Sequence, residues 1–135
     1  MITQYALKKL NRMLNQYGMD YADIYIEKYK PDRKKLRKAS AKDVEKMKAL
    51  AWKINDKAAP LGLVSPCICR SLWCYRLLSK KNFDVEMKIG IKSYPFEAHA
   101  WIEYNGEVIN DTKEHAGGYA VFDPEMTKNL LAGQA

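Results

Sequence analysis

The chain has 135 residues, is 47% hydrophobic and 29% charged, and carries a net charge of +7 with three cysteines. That length holds one domain with a real core and is too short for two. No apolar run approaches the roughly 20 residues that cross a bilayer. The N-terminal M-I-T-Q-Y-A-L-K-K-L-N-R lacks the apolar stretch of a secretory signal. An odd number of cysteines cannot close a complete disulfide framework. The expectation is a soluble cytoplasmic protein without membrane contact, its cysteines free thiols or metal ligands.

The elements follow in chain order. Ile2, Tyr5, Ala6, Leu10, Met13, Leu14 and Tyr17 recur at spacings of three and four, which predicts an amphipathic helix stopped near Gly18. Tyr21–Tyr29 reads equally as strand or helix. Pro31 then enters the basic run K-Y-K-P-D-R-K-K-L-R-K, Lys28–Lys38. Residues 1–60 carry 15 Lys/Arg against 7 Asp/Glu, whereas residues 61–135 carry 8 against 9, so the basic excess belongs to the first half. Val44, Met47, Leu50, Ala51, Ile54 and Ala58 form a second helical stripe after a cap at Ser40 or Asp43, ended by Pro60 and Gly62. A third helix is predicted over Pro66–Lys81, with Ser65 as its cap, Pro66 in its first turn, and Ile68, Leu72, Tyr75 and Leu78 as its buried face.

The pattern then changes period. Val85, Met87, Ile89 and Ile91 alternate with polar or small residues, as do Ala98, Ala100, Ile102 and Tyr104, which predicts two strands. Asn105-Gly106 signals a two-residue hairpin, with Glu107–Asp111 as the returning strand. Gly117-Gly118 leads into a short last strand, Tyr119–Phe122, ended by Asp123-Pro124. Helices followed by an antiparallel sheet define the α+β class.

Cys67 falls in the first turn of the third helix, where unpaired amides and the helix dipole favour a thiolate. Cys74 reads as a small buried residue. Cys69 points about 200° away from Cys67 and reads as packing or half-exposed. A thiolate nucleophile needs a base, and the chain has two histidines. His99 stands mid-strand in E-A-H-A-W-I-E, where a rigid element can aim it. His115, in K-E-H-A-G-G, reads as a loop residue without a role. The hairpin register puts position 112 opposite His99, so either Asn110 or Asp111 could orient the imidazole, the latter if a bulge intervenes. A zinc site is disfavoured, because Cys67-x-Cys69 is tighter than the usual spacing and no second pair follows.

These residues also resemble a known family. C-I-C-R-S-L-W-C-Y-R-L-L, V-E-M-K-I-G-I and P-F-E-A-H-A-W-I-E-Y-N-G-E-V-I-N-D resemble the transglutaminase-like cysteine proteases of lasso peptide biosynthesis. Those are the B2 leader peptidases, also found as the C-terminal domain of fused B proteins. The similarity is close over about Pro66–Asp111 and looser over the helices before it. It implies a transglutaminase-like, papain-like core. The expected organisation is one domain over 1–135, with a basic helical part (1–62) and a catalytic helix with antiparallel sheet (63–135). Position by position, it implies Cys67 as nucleophile, His99 as general base and Asp111 as third member. Arg70, Ser71 and Trp101 match motif positions with structural or substrate-lining roles, and Cys69 falls on a variable one. No cofactor and no metal are expected.

The resemblance implies cleavage of a precursor peptide between leader and core, with threonine favoured at the penultimate leader position. Leader recognition would belong to a separate leader-binding B1 protein, and an asparagine-synthetase-like C cyclase would close the macrolactam. The basic run, with Arg33, Lys34 and Lys35, is the expected docking surface for that partner or for an acidic leader; no nucleic-acid motif accompanies it. Two other readings use the same residues. One is an acyl or amide transferase, with an amine in place of water. The other is a non-enzymatic basic adaptor in which Cys67 and His99 are structural.

Overall fold

The computed structural model describes residues 2–93 and 95–121. Its elements are α1 (Ile2–Tyr17), α2 (Met19–Tyr29), α3 (Ala41–Ala58), α4 (Pro66–Lys80), β1 (Val85–Ser93), β2 (Phe96–Tyr104), β3 (Glu107–Val108), α5 (Lys113–Ala116) and β4 (Ala120–Val121). Helices precede an antiparallel sheet of strand order β3-β2-β1-β4, the expected α+β arrangement. Phe122 and the Asp123-Pro124 stop lie outside the described residues. Among the described residues, no helix is long and apolar enough to cross a membrane.

In α1 the buried line is Leu7, Leu10 and Leu14, while Ile2 and Tyr5 are exposed, so the stripe is rotated from the expected one. Gly18, at φ 68°, turns the chain directly into α2. The ambiguous Tyr21–Tyr29 segment is helical. Its inward residues Ala22, Tyr25, Ile26 and Tyr29 are spaced three and four apart, a helical period that alternation cannot satisfy. Tyr25 packs on Tyr29 with ring centroids 4.6 Å apart, and Arg76 of α4 lies over Tyr29.

The basic run is tied down rather than loose. Asp32 accepts the Lys34 amide and starts a 3-10 turn over Arg33–Lys35. Arg37 bonds the Lys81 carbonyl through its side chain and the Asn82 carbonyl through its amide, and it covers the Phe83 ring. Arg33 reaches Asp84. Lys34, Lys35 and Lys38 remain exposed. The segment therefore sits against the C-terminal end of α4, the end away from Cys67. The capping of α3 is reciprocal: Ser40 Oγ accepts the Asp43 amide, and Asp43 accepts the Ser40 amide.

Helix α4 is buried on most of its circumference through Cys69, Ser71, Leu72, Trp73, Cys74, Tyr75 and Leu78, because α1, α2, α3 and the sheet all pack on it. The expected Ser65 cap is absent. Ser65 adopts ψ 72° rather than the extended value that turns an N-cap hydroxyl toward the helix, and its side chain accepts no amide. Its carbonyl instead receives the Cys69 amide.

Strands β1 and β2 pair along their whole length, with Gly90 opposite His99. Asn105 and Gly106 both have positive φ, as a primed hairpin turn demands, and Tyr104 pairs with Glu107 as expected. The returning strand is much shorter than the sequence suggests. It ends at Val108, and after one further bond from the Ile109 amide to the Ile102 carbonyl the chain departs. Asn110 replaces the ladder: its Oδ1 accepts the Ile102 amide at 2.7 Å and its Nδ2 donates to Ser71 Oγ at 3.0 Å.

The outer face of β1 has a packing constraint of its own. A Cβ on Gly90 would lie 2.5 Å from Tyr119 Cβ and 2.8 Å from the Trp101 ring. Gly90→Ala is therefore expected to destabilise the fold by about 1–3 kcal/mol. Urea denaturation measures this; a variant as stable as the parent would show that Trp101 and Tyr119 move aside freely.

Candidate active site

Cys67 enters from the first turn of α4 and is half-buried. Burial pushes its thiol up, but the His99 ring, the Ala100 backbone amide and the Arg70 charge together bring it below the ordinary 9.0. The other two cysteines go the opposite way. Burial, with the neighbouring Cys67 charge, pushes Cys69 up to about 11, and burial alone pushes Cys74 up to about 12. Cys69 is fully buried, not half-exposed. One thiol of the three is thus poised to ionise.

His99 is 9% exposed. Its Nε2 lies 2.6 Å from Asp111 Oδ2, which leaves Nδ1 as the ring nitrogen free to face the thiol. Interaction with Cys67 raises its pKa, burial opposes this, and Asp111 adds to the rise. The ring is held by aromatic neighbours: Trp101 at 5.7 Å, nearly parallel, Tyr119 at 5.1 Å and His115 at 4.7 Å, edge-on.

Asp111 reaches His99 because β3 has already ended. The displacement by one residue that the register required comes from Asn110 turning inward rather than from a bulge. Burial pushes the Asp111 carboxyl up, but bonds from His115, His99 and the Thr112 amide hold it below 3.8. Its Oδ2 accepts from His115 Nδ1 at 2.8 Å as well as from His99, and its Oδ1 accepts the Thr112 amide at 2.8 Å. Asn110, the competitor for this position, faces Ser71 and Ile102 instead.

The remaining expected site residues separate. Arg70 lies close enough to act on the Cys67 charge, and its Nε is buried without a hydrogen-bond partner among the described residues. Trp101 is 1% exposed and donates to Glu103 at 2.7 Å, so its ring supports His99 from within the protein instead of lining an open surface. Arg33, Lys34 and Lys35 are a helix length away, at the other end of α4.

The family model of the transglutaminase-like superfamily matches residues 11–122. The chain belongs to that superfamily. Microcin J25-processing protein McjB of Escherichia coli is 40% identical over 47 residues, which make up 35% of this chain and 23% of McjB. The match thus spans under a quarter of that relative. No solved structure matches the chain.

Sequence reasoning overlooked His115. In this transglutaminase-like protein it is not a bystander, because it binds the same carboxylate oxygen as His99. The signal was present in D-T-K-E-H: Thr112 is an N-cap that accepts the His115 amide at 3.1 Å, which puts residues 111 and 115 one turn apart. Among the described residues, His99, Asp111 and His115 also form the one group able to hold a metal ion, with their ligand atoms within 4.8 Å of one another.

The shifts of Cys67 and His99 favour a thiolate–imidazolium pair. Alkylation of Cys67 by iodoacetamide should titrate below pH 9.0, with Cys69 and Cys74 protonated and silent. In His99→Ala, burial persists while the ring is lost, so the midpoint should move upward. A midpoint unmoved by His99→Ala would mean that the ring does not act on the thiol.

Proposed function

We propose that the chain is a cysteine peptidase that cuts a ribosomally made lasso peptide precursor between leader and core. The observation that carries this reading is the His99–Asp111 bond at 2.6 Å beside a Cys67 thiol that the His99 ring helps to lower, in a superfamily member that shares a stretch with a microcin-processing protein. A lowered thiol, a buried imidazole and an anchored carboxylate are what nucleophilic acyl transfer needs.

The Cys67 thiolate attacks the carbonyl at the end of the leader. Amides in the first turn of α4, which carries no side-chain cap, would stabilise the oxyanion, that of Cys67 among them. His99 gives its Nδ1 proton to the departing core amine, leaving the leader as a thioester on Cys67. It then takes a proton from water, whose oxygen displaces the thiolate and frees the leader carboxylate. Asp111 holds the Nε2 proton throughout, fixing the tautomer and supporting the imidazolium. The free amine of the core is the group an asparagine-synthetase-like C cyclase would join into a macrolactam. We assign leader recognition to a separate leader-binding B1 protein and place the reaction in the cytoplasm, where the precursor is made.

Incubating the chain with a candidate precursor and its leader-binding protein tests this. Cleavage should be lost in Cys67→Ala, and Asp111→Asn should lower kcat roughly 10²–10⁴-fold. Product mass decides the reaction: hydrolysis adds water across the cut bond, whereas an adduct with an amine would make the protein a transferase. Full processing by Cys67→Ala would mean the thiol has no part.

Charge reversal at Arg33, Lys34 and Lys35 should weaken processing at low salt and matter less as salt screens the contact. Processing that is unchanged at every salt concentration would remove the basic run from substrate or partner docking.

A further inference from the structure

We propose that His99 Nε2, Asp111 Oδ2 and His115 Nδ1 form a site for a borderline divalent cation, zinc foremost, whose capture switches the Cys67 chemistry off. The inhibitory part rests on the peptidase reading; the binding part does not.

The donor set is two imidazoles and a carboxylate, which suits zinc better than calcium or magnesium. The three atoms lie within 4.8 Å of one another, and both imidazole nitrogens already converge on one oxygen, at 2.6 and 2.8 Å. Zinc binds nitrogen and oxygen at about 2.0–2.2 Å, so the ligands need to part by only roughly half an ångström to admit it. Asp111 stays anchored during that movement, because its other oxygen holds the Thr112 amide. His115 is half-exposed, which leaves the group open to solvent on one side, while His99 and Asp111 are largely covered.

The cation takes the place of the two protons that now lie between the rings and the carboxylate. On a neutral ring the displaced proton moves to the opposite nitrogen; from an imidazolium it leaves to solvent. Either way His99 holds its one proton on Nδ1, facing Cys67. With Nε2 coordinated the ring cannot become an imidazolium, so the acid that must protonate the leaving amine is lost. Asp111 is also drawn from orienting the ring to binding the ion. Because the ion sits on the Nε2 side, away from the sulfur, Cys67 is not needed as a ligand.

Titrating zinc into Cys67→Ala by calorimetry isolates this site from thiolate binding. One ion should bind, and the affinity should fall in Cys67→Ala/His115→Gln. Glutamine can still donate to Asp111 but is a poor zinc ligand. Loss of a partner outside the coordination sphere costs 10–100-fold, so loss of a direct ligand should cost at least about ten-fold. Cobalt absorption in the same two proteins gives a second readout that needs no activity. In the cleavage assay, zinc potency should fall by the same factor in His115→Gln, relative to that variant's own metal-free rate. Equal zinc affinity with and without His115 would overturn the proposal, as would zinc binding that disappears with Cys67→Ala. If zinc binds through His115 but no precursor is cut, the site stands and the peptidase reading falls.

Discussion

A single buried amide side chain, that of Asn110, couples the two halves of the site. It satisfies the Ile102 amide on β2, which would otherwise lose its ladder partner where β3 stops, and it binds Ser71 on the helix that carries Cys67. Asn55 of α3 holds the Asn110 carbonyl from the other side. An orphaned buried amide costs about 1–3 kcal/mol, so the early end of β3 is tolerable only because Asn110 fills the gap. Once the chain has turned inward there, the next residue leaves the strand geometry, and Asp111 falls on His99 instead of in the ladder. The orientation of the imidazole therefore depends on a neighbour that never touches it.

Helix α4 treats its three cysteines differently through position alone. Cys69 and Cys74 face packed surfaces, where charge has no solvent and burial keeps the thiol protonated. Cys67 is also largely covered, yet an imidazole, an amide and a guanidinium converge on it, and their sum exceeds the cost of burial. The second side of the arrangement is aromatic. Trp101 and Tyr119 close over the outer face of β2 because Gly90 presents no Cβ, and His99 is held between them. Rigidity at His99 thus comes from stacking, and charge balance from Cys67 and Asp111.

Much of this was legible in the residues. Most element types and their order follow from hydrophobic period, with Tyr21–Tyr29 left open between strand and helix and the short α5 not foreseen, and Asn105-Gly106 gave the correct pairing of Tyr104 with Glu107. Cys67 and His99 could be singled out from helix-end chemistry and strand position. Period reading was weaker where apolar residues were abundant: in α1, Ile2 and Tyr5 fit the stripe as well as Leu7 does, and only packing against α4 decides which face is buried. The choice between Asn110 and Asp111 could not follow from strand register, because register presumes a ladder that ends three residues early. His115 was passed over because a polar loop hid a single capped turn, and such turns acquire meaning only when the carboxylate they flank is seen to be shared.

The placement of the basic segment makes α4 a ruler. Its 15 residues span about 22 Å at 1.5 Å per residue, with Arg33 and Arg37 anchored beyond one end and Cys67 within the first turn of the other. On the peptidase reading, a polypeptide reaching both the lysines and the sulfur would run over the elements that cover α4, and it needs at least about six or seven extended residues between the two points. Shorter spacers could engage either end but not both. The buried helix thereby fixes the separation between the anchored basic segment and the sulfur, however the surface above it is used.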